Sequence, residues 1–138
     1  RKKGMTYSKN ELVNYRILRA KEAYKDGLLL VNERRWNAAA NWLYYACFYV
    51  VSAYLVAKGI KATTHSGLKS AFNQHLIKSG KIDFSEGLLF NKLFSIRQQI
   101  DYEDFIDITE QELYPSLPKI EMLIDDIEKL IMNEGAIY

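Results

Sequence analysis

Cysteine, proline and histidine are nearly absent: one, two and two residues in a chain of 138. The lone Cys47 has no partner for an internal disulfide, so a reducing, cytoplasmic setting is expected. Two prolines and seven glycines, with 49% hydrophobic and 26% charged residues, exclude a low-complexity or disordered chain. A net charge of +2 is too small to announce a nucleic-acid partner by itself, although local clusters could still matter. There is no glycine-rich phosphate loop, no cysteine pair, no histidine pair at metal spacing and no G-x-S-x-G elbow. His65 and His75 are the only imidazoles, ten residues apart, so no metal and no cofactor is expected. Arg1, Lys2 and Lys3 lead into polar Thr6–Asn10 rather than an apolar run, so a secretory leader is not expected here.

What the chain does have is one long uncharged stretch, Trp36 to Ala57, flanked by Arg34 and Arg35 before it and Lys58 after it. Trp36, Ala40, Leu43, Cys47, Val50, Tyr54 and Ala57 recur at helical spacing. Tyr44, Phe48, Val51 and Leu55 make a second apolar stripe, so this helix must be covered on more than one side. Roughly 20 apolar residues would span a bilayer. Asn37, Asn41 and tyrosines spread through the middle speak instead for the buried centre of a helical bundle, with no membrane partner. A surplus of apolar surface on this helix would bring two copies together.

The remaining pattern is helical throughout. Ser8–Glu11, Asp83–Glu86 and Thr109–Glu112 each have the capping-box form, a short polar cap with a carboxylate three residues on. The first helix runs behind Ser8 to about Glu33. Gly27 lies inside it at a cost of about 1 kcal/mol relative to alanine, which close approach of a neighbouring helix would explain. Gly59 ends the second helix, and Thr63, Thr64 or Ser66 caps a third that stops at Ser79-Gly80. Leu89, Leu93, Ile96 and Ile100 define the fourth, whose end is acidic. A fifth follows Thr109, with Pro118 expected to bend it or to move its true start downstream. The expectation is an all-α, five-helix, up-and-down antiparallel bundle forming a single domain over residues 8–133. Residues 1–7 read as a disordered N-terminus or an appended remnant, and 134–138 as a frayed C-terminus.

Two polar stretches could carry chemistry. Thr64, His65 and Ser66 enter a helix and offer either an anion site or a simple cap, the cap being the commoner use. Arg97, Gln98, Asp101 and Tyr102 close the fourth helix. Arg97 and Asp101 can pair at i,i+4, as on any solvated face, while Gln98 and Tyr102 stand one turn apart. A guanidinium, an amide and a phenol together could bind a phosphate and stack on a base.

Several pieces in order carry a resemblance: Tyr44-Tyr45-Ala46-Cys47-Phe48, Lys58-Gly59-Ile60, Thr64-His65-Ser66-Gly67-Leu68, Phe72-Asn73-Gln74-His75-Leu76, and Asn91-Lys92-Leu93-Phe94 running into Arg97-Gln98 and Asp101-Tyr102-Glu103-Asp104-Phe105. From about Asn10 to Leu130 the chain resembles the HEPN domain family. The resemblance implies a bundle that forms a homodimer, with Tyr44, Tyr45 and Phe48 on the core or dimer helix. It also implies association with a nucleotide, single-stranded RNA or a partner minimal nucleotidyltransferase, in a toxin–antitoxin or defence pair. Active members use an arginine, a polar residue and a histidine four to six residues later as a metal-independent ribonuclease site. Arg97 and Gln98 match the first two positions, but no histidine follows and Tyr102 occupies one candidate place. A phenol, with an ordinary pKa near 10, is a poor substitute in proton transfer. The leading expectation is therefore a binding module with a degenerate ribonuclease motif and no complete catalytic set. The alternatives are an active ribonuclease using Arg97, Tyr102 and His65, and a purely structural dimer.

Overall fold

Ser8 opens the first helix. In the computed structural model, which describes residues 6–134, the Ser8 hydroxyl accepts from the Glu11 N–H and the Glu11 carboxylate accepts from the Ser8 N–H, each at 3.0 Å. This closes the expected box at the head of α1 (Lys9–Asn32). A tight turn follows, and α2 (Trp36–Ala57) packs along α1 as its hairpin partner. Gly27 permits that approach. A Cβ there would lie 2.6 Å from Leu43 Cδ2, so any larger residue would force the buried Leu43 side chain, or the helix carrying it, to shift.

The charge-free α2 is the centre of the molecule, as its pattern requires. It contacts α1, α3, α4, α5 and α6, and Leu43, Tyr44, Cys47, Val50 and Val51 are sealed from solvent. It is long and apolar enough to cross a membrane, yet 67% of its most apolar window is buried against the rest of the chain. Asn37 has a specific task at its head: its amide donates to the Ile106 carbonyl at 2.8 Å and accepts from the Ile108 N–H at 2.9 Å. That bidentate clasp pins the loop leaving the fourth helix.

Thr64 caps α3 (His65–Phe72), and Gly59 and Gly80 take φ of +70° and +77° where the helical stretches before them end. Beyond Phe72 the helix widens into a π-helical turn, Asn73–Ile77, which periodicity does not reveal. There Asn73 and Asn91 exchange amide hydrogen bonds of 3.2 and 3.1 Å, fastening that turn to α4 (Phe84–Tyr102). At the head of α4 the expected box does not form. Asp83 accepts from both the N–H and the hydroxyl of Ser85, while Glu86 turns inward to become 5% exposed, facing Asp126.

The last helical region divides at its prolines. The Thr109–Glu112 box starts one turn, α5 (Glu110–Leu113); Tyr114–Ser116 tighten to a 3-10 turn; α6 (Leu117–Asn133) then begins with Pro118 in its first turn, where a missing N–H costs nothing. The described residues thus form an all-helical bundle of five principal helices without a strand.

Glu134 departs from expectation. Instead of fraying, its carboxylate accepts from Lys58 at 3.0 Å, Lys81 at 2.9 Å and the Tyr54 hydroxyl at 3.1 Å, so one side chain ties the end of α6 to α2 and to the turn before α4. Residues 1–5 and 135–138, the rest of the two ends expected to lack order, lie outside the described residues.

Candidate functional site

The polar residues singled out in the sequence meet on one side of α2, though not in the grouping their spacing suggests. Arg97, on the second-last turn of α4, points at α2. Its Nη2 donates to Tyr45 Oη at 3.1 Å and pairs with Asp101 Oδ2 at 3.2 Å. The guanidinium carbon lies 5.4 Å from the ring centroids of both Tyr44 and Tyr45, within cation–π range of each. With 17% of its side chain exposed, Arg97 is neither on an open solvated face nor locked in a dry interior. Its Nε is buried and has no partner among the described residues. Leaving such a donor unmet costs about 1–3 kcal/mol, offset in part here by the two tyrosine faces beside it.

His65 comes to the same place from the head of α3. Its Nδ1 and the Tyr44 hydroxyl share a hydrogen bond of 2.8 Å, and its ring stacks on Phe48 with centroids 4.7 Å apart and planes at 28°. Burial holds this imidazole below its ordinary pKa of 6.5, and the nearby Arg97 charge pushes the same way, only partly offset by Asp101. It is therefore neutral at pH 7. Tyr44, sealed among Phe90, Phe94 and His65, has its phenol raised by burial and is no acid near neutrality. Burial likewise raises the Cys47 thiol, which makes it an inert core residue.

Four of the expected site residues stand apart from this cluster. Thr64 spends its hydroxyl on the Gly67 N–H at 2.9 Å, and Ser66 Oγ lies 3.5 Å from it. Thr64 alone thereby caps α3, whose first residue is His65. Tyr102 ends α4 with 78% of its surface exposed, and Gln98, next to Arg97 in the chain, is half-buried. The aromatic partners of Arg97 come instead from the dimer-or-core group: Tyr44 is core, whereas Tyr45 and Phe48 are half-buried and form the floor of the site. Tyr45 had no signal as a guanidinium partner in sequence, since 52 residues separate the two. Among the described residues no three His, Cys, Asp or Glu side chains converge as metal ligands would.

The arrangement offers a fixed cation, a neutral imidazole and half-buried aromatic rings. A phosphate can accept from the Nη end of that guanidinium, a base or ribose can pack on the rings, and the imidazole can take or return a proton, whereas the buried Nε is out of a ligand's reach.

Comparison with known proteins places the chain among relatives of one family. The model of the HEPN domain family matches residues 13–130. A UPF0332 protein of Thermotoga maritima is 38% identical over 123 residues, covering 89% of this chain and 93% of its own. Two proteins of Methanocaldococcus jannaschii, named "Putative toxin MJ0142" and "Putative toxin MJ0605", are each 26% identical. The first alignment covers 88% of this chain and 82% of the relative, the second 81% and 83%.

Proposed function

The chain belongs to the HEPN domain family, and we propose that it is a toxin-type HEPN module that binds RNA through Arg97, Tyr45 and His65. The carrying observation is the Arg97 guanidinium, held against two tyrosines of α2 with an imidazole from α3 alongside. Phosphate binding would shift Arg97 from Asp101 to the ligand, exchanging an ordinary i,i+4 pair for charge-assisted bonds to RNA. The names of the two Methanocaldococcus relatives favour the toxin side of this reading.

The functional unit in this reading is a homodimer. The surplus apolar surface lies less on α2 than expected, and more on the outer side of α1, where Tyr15, Leu18 and Leu29 are each more than half exposed at helical spacing. Light scattering at the dimer mass is expected, and a monomer at all concentrations contradicts it. A gene for a minimal nucleotidyltransferase beside this one would be the genomic signature of the pair.

The decisive experiment is a titration with fluorescent single-stranded RNA. Arg97→Ala is expected to weaken binding at least about tenfold, the equivalent of about 1.4 kcal/mol, with the helical circular dichroism unchanged. Equal affinity in wild type and Arg97→Ala would remove the proposal.

A second reading rests on His65. As a neutral imidazole beside Arg97, it can accept the proton of a ribose 2′-hydroxyl while that oxygen attacks the adjacent phosphorus. The bond to the 5′-oxygen then breaks, the departing oxygen takes a proton back, and Arg97 balances the charge gathering on the phosphoryl oxygens. This assigns to His65 the role for which Tyr102 was the candidate. Cleavage in the presence of a chelator, lost in His65→Ala and kept in Tyr102→Phe, is the expected pattern. Its rate should rise with pH through a midpoint below 6.5.

A further inference from the structure

A second guanidinium grips the same stripe of α2. Tyr45, Tyr49, Ser52 and Val56 follow one another at helical spacing, so Ser52 lies seven residues, about 10 Å, along the helix from Tyr45. Arg97 holds Tyr45 at one end, and Arg16 of α1 donates to the Ser52 hydroxyl at the other. Between them stand Tyr49, with Arg19 5.6 Å over its ring, and Phe48 stacked on His65.

The two arginines differ in one respect. Arg97 has Asp101, whereas Arg16 forms no ion pair with a carboxylate among the described residues, although it is half-buried. Arg16 and Ser52 line a cavity of about 330 Å³ with Lys61 and Thr63 of the loop that leads directly into Thr64 and His65. Two cations and two hydroxyls border this concavity, the rest of its wall is apolar, from Leu55, Val56, Ile60, Ala62 and Leu68, and the described residues supply no anion to it. The loop around this cavity is the one that positions His65, so the two places are adjoining parts of one surface.

We propose that the Arg16–Ser52–Lys61–Thr63 cavity is a second phosphate subsite, and that a single-stranded RNA lies along the α2 stripe with one phosphate at Arg97 and a later one at Arg16. The proposal rests on the RNA-binding reading of Arg97 given above. Tyr45, Phe48 and Tyr49 form the stacking floor between the two cations, a pairing of aromatic and basic residues that suits an unpaired strand. A duplex presents no free base faces to such a floor, so single strands are preferred.

The test measures fluorescence anisotropy with a labelled single-stranded RNA of about 10 nucleotides, within the usual span of a single-strand groove. A labelled nucleoside monophosphate serves as the short probe, and both are titrated over a series of salt concentrations. Arg16→Gln and Lys61→Gln are expected to weaken the oligonucleotide by about threefold to tenfold. Each should also reduce the slope of log affinity against log salt by about 0.7, the loss of one single-strand phosphate contact. A monophosphate can occupy either subsite, so the quantity expected to stay unchanged in both variants is the part of its binding that Arg97→Ala removes. Lys61 is exposed and packs against nothing that the fold requires, so its variant guards against misfolding of the Arg16 variant.

If both variants keep the wild-type affinity and slope while Arg97→Ala loses binding, the second subsite is wrong and the Arg97 reading stands. If Arg97→Ala also changes nothing, both are wrong. Equal affinity for single and double strands would overturn the stacking track.

Discussion

Two clusters in this molecule are built on the same plan, a charge from elsewhere in the chain meeting a tyrosine of α2. Glu134 meets Tyr54, and Arg97 meets Tyr45. Around Glu134 the bonding is complete: two lysines and the phenol satisfy the carboxylate, and Lys81 also donates to Tyr54 Oη at 3.0 Å. Around Arg97 it is not. One nitrogen serves both Tyr45 and Asp101, Nε is left over, and the flanking groups are aromatic faces. A closed cluster fastens elements together, whereas an open one retains capacity for a partner. Position on α2 separates them: Tyr54 lies near its end, where Lys58, Lys81 and Glu134 converge to satisfy one another, and Tyr45 lies mid-helix on a half-buried stripe.

This contrast is broken most directly by exchanging the effects of the two charges. Arg97→Ala should cost at least about tenfold in RNA affinity with little change in melting temperature, while Glu134→Gln should leave RNA binding untouched. If removing Glu134 harms binding as much as removing Arg97, the clusters are not separable, and the titration described above would show it.

Glu86 sharpens the comparison as a charge buried without any cation. Burial, reinforced by Asp126, raises its pKa from 4.5 to about 7. The folded state therefore holds a proton that the unfolded chain has lost, and stability is full below about 4.5. It falls, by at most about 1.4 kcal/mol per pH unit, as pH rises towards about 7. Glu86→Gln should flatten that part of the profile and stabilise the protein at pH 8, as urea melts at several pH values would reveal.

Glu134 has the opposite sign. Its slight burial acts to raise the pKa, but the bonds from Lys81, Lys58 and Tyr54 outweigh this and hold it at about 2. Its contribution is present above about 4.5 and is lost as pH falls towards about 2. The cluster is partly open to solvent, so its contribution is about 1 kcal/mol or less. Glu134→Gln should lower the melting temperature at pH 7 by roughly 3 °C and have no effect at pH 2.

The smallest effect belongs to Thr64. Its loss removes a cap contributing about 0.5–1 kcal/mol. Because His65 is the first residue of the helix this cap opens, Thr64→Ala should reduce RNA binding or cleavage by more than its stability change alone explains, whereas Ser66→Ala should not.

Much of the fold was legible because helix ends are local chemistry. The boxes at Ser8 and Thr109, the cap at Thr64 and the stops at Gly59 and Gly80 each involve residues within a few positions of one another. Where the same logic failed, a distant group had intervened. Glu86 left its box for the interior beside α6, and Glu134 was captured by two lysines far back in the chain. The site was legible in half. Arg97 and His65 are both candidates in the sequence, but their meeting across 32 residues through Tyr44 and Tyr45 is not readable there, and Tyr102 is the candidate because it stands where the family's histidine is expected. Arg16 and Ser52 carried no motif at all.

Apolar periodicity and caps, which depend on neighbours three and four residues away, sufficed to decide that this is a bundle of helices around an uncharged α2. The order of short motifs likewise sufficed to point to its family. Only the packing of α1, α3 and α4 against α2 decided which arginine received which phenol, which imidazole joined them, and which carboxylates were closed off. Such contacts depend on the rotation and crossing of whole helices, set by the sum of many side-chain volumes, and no short window of sequence contains that sum.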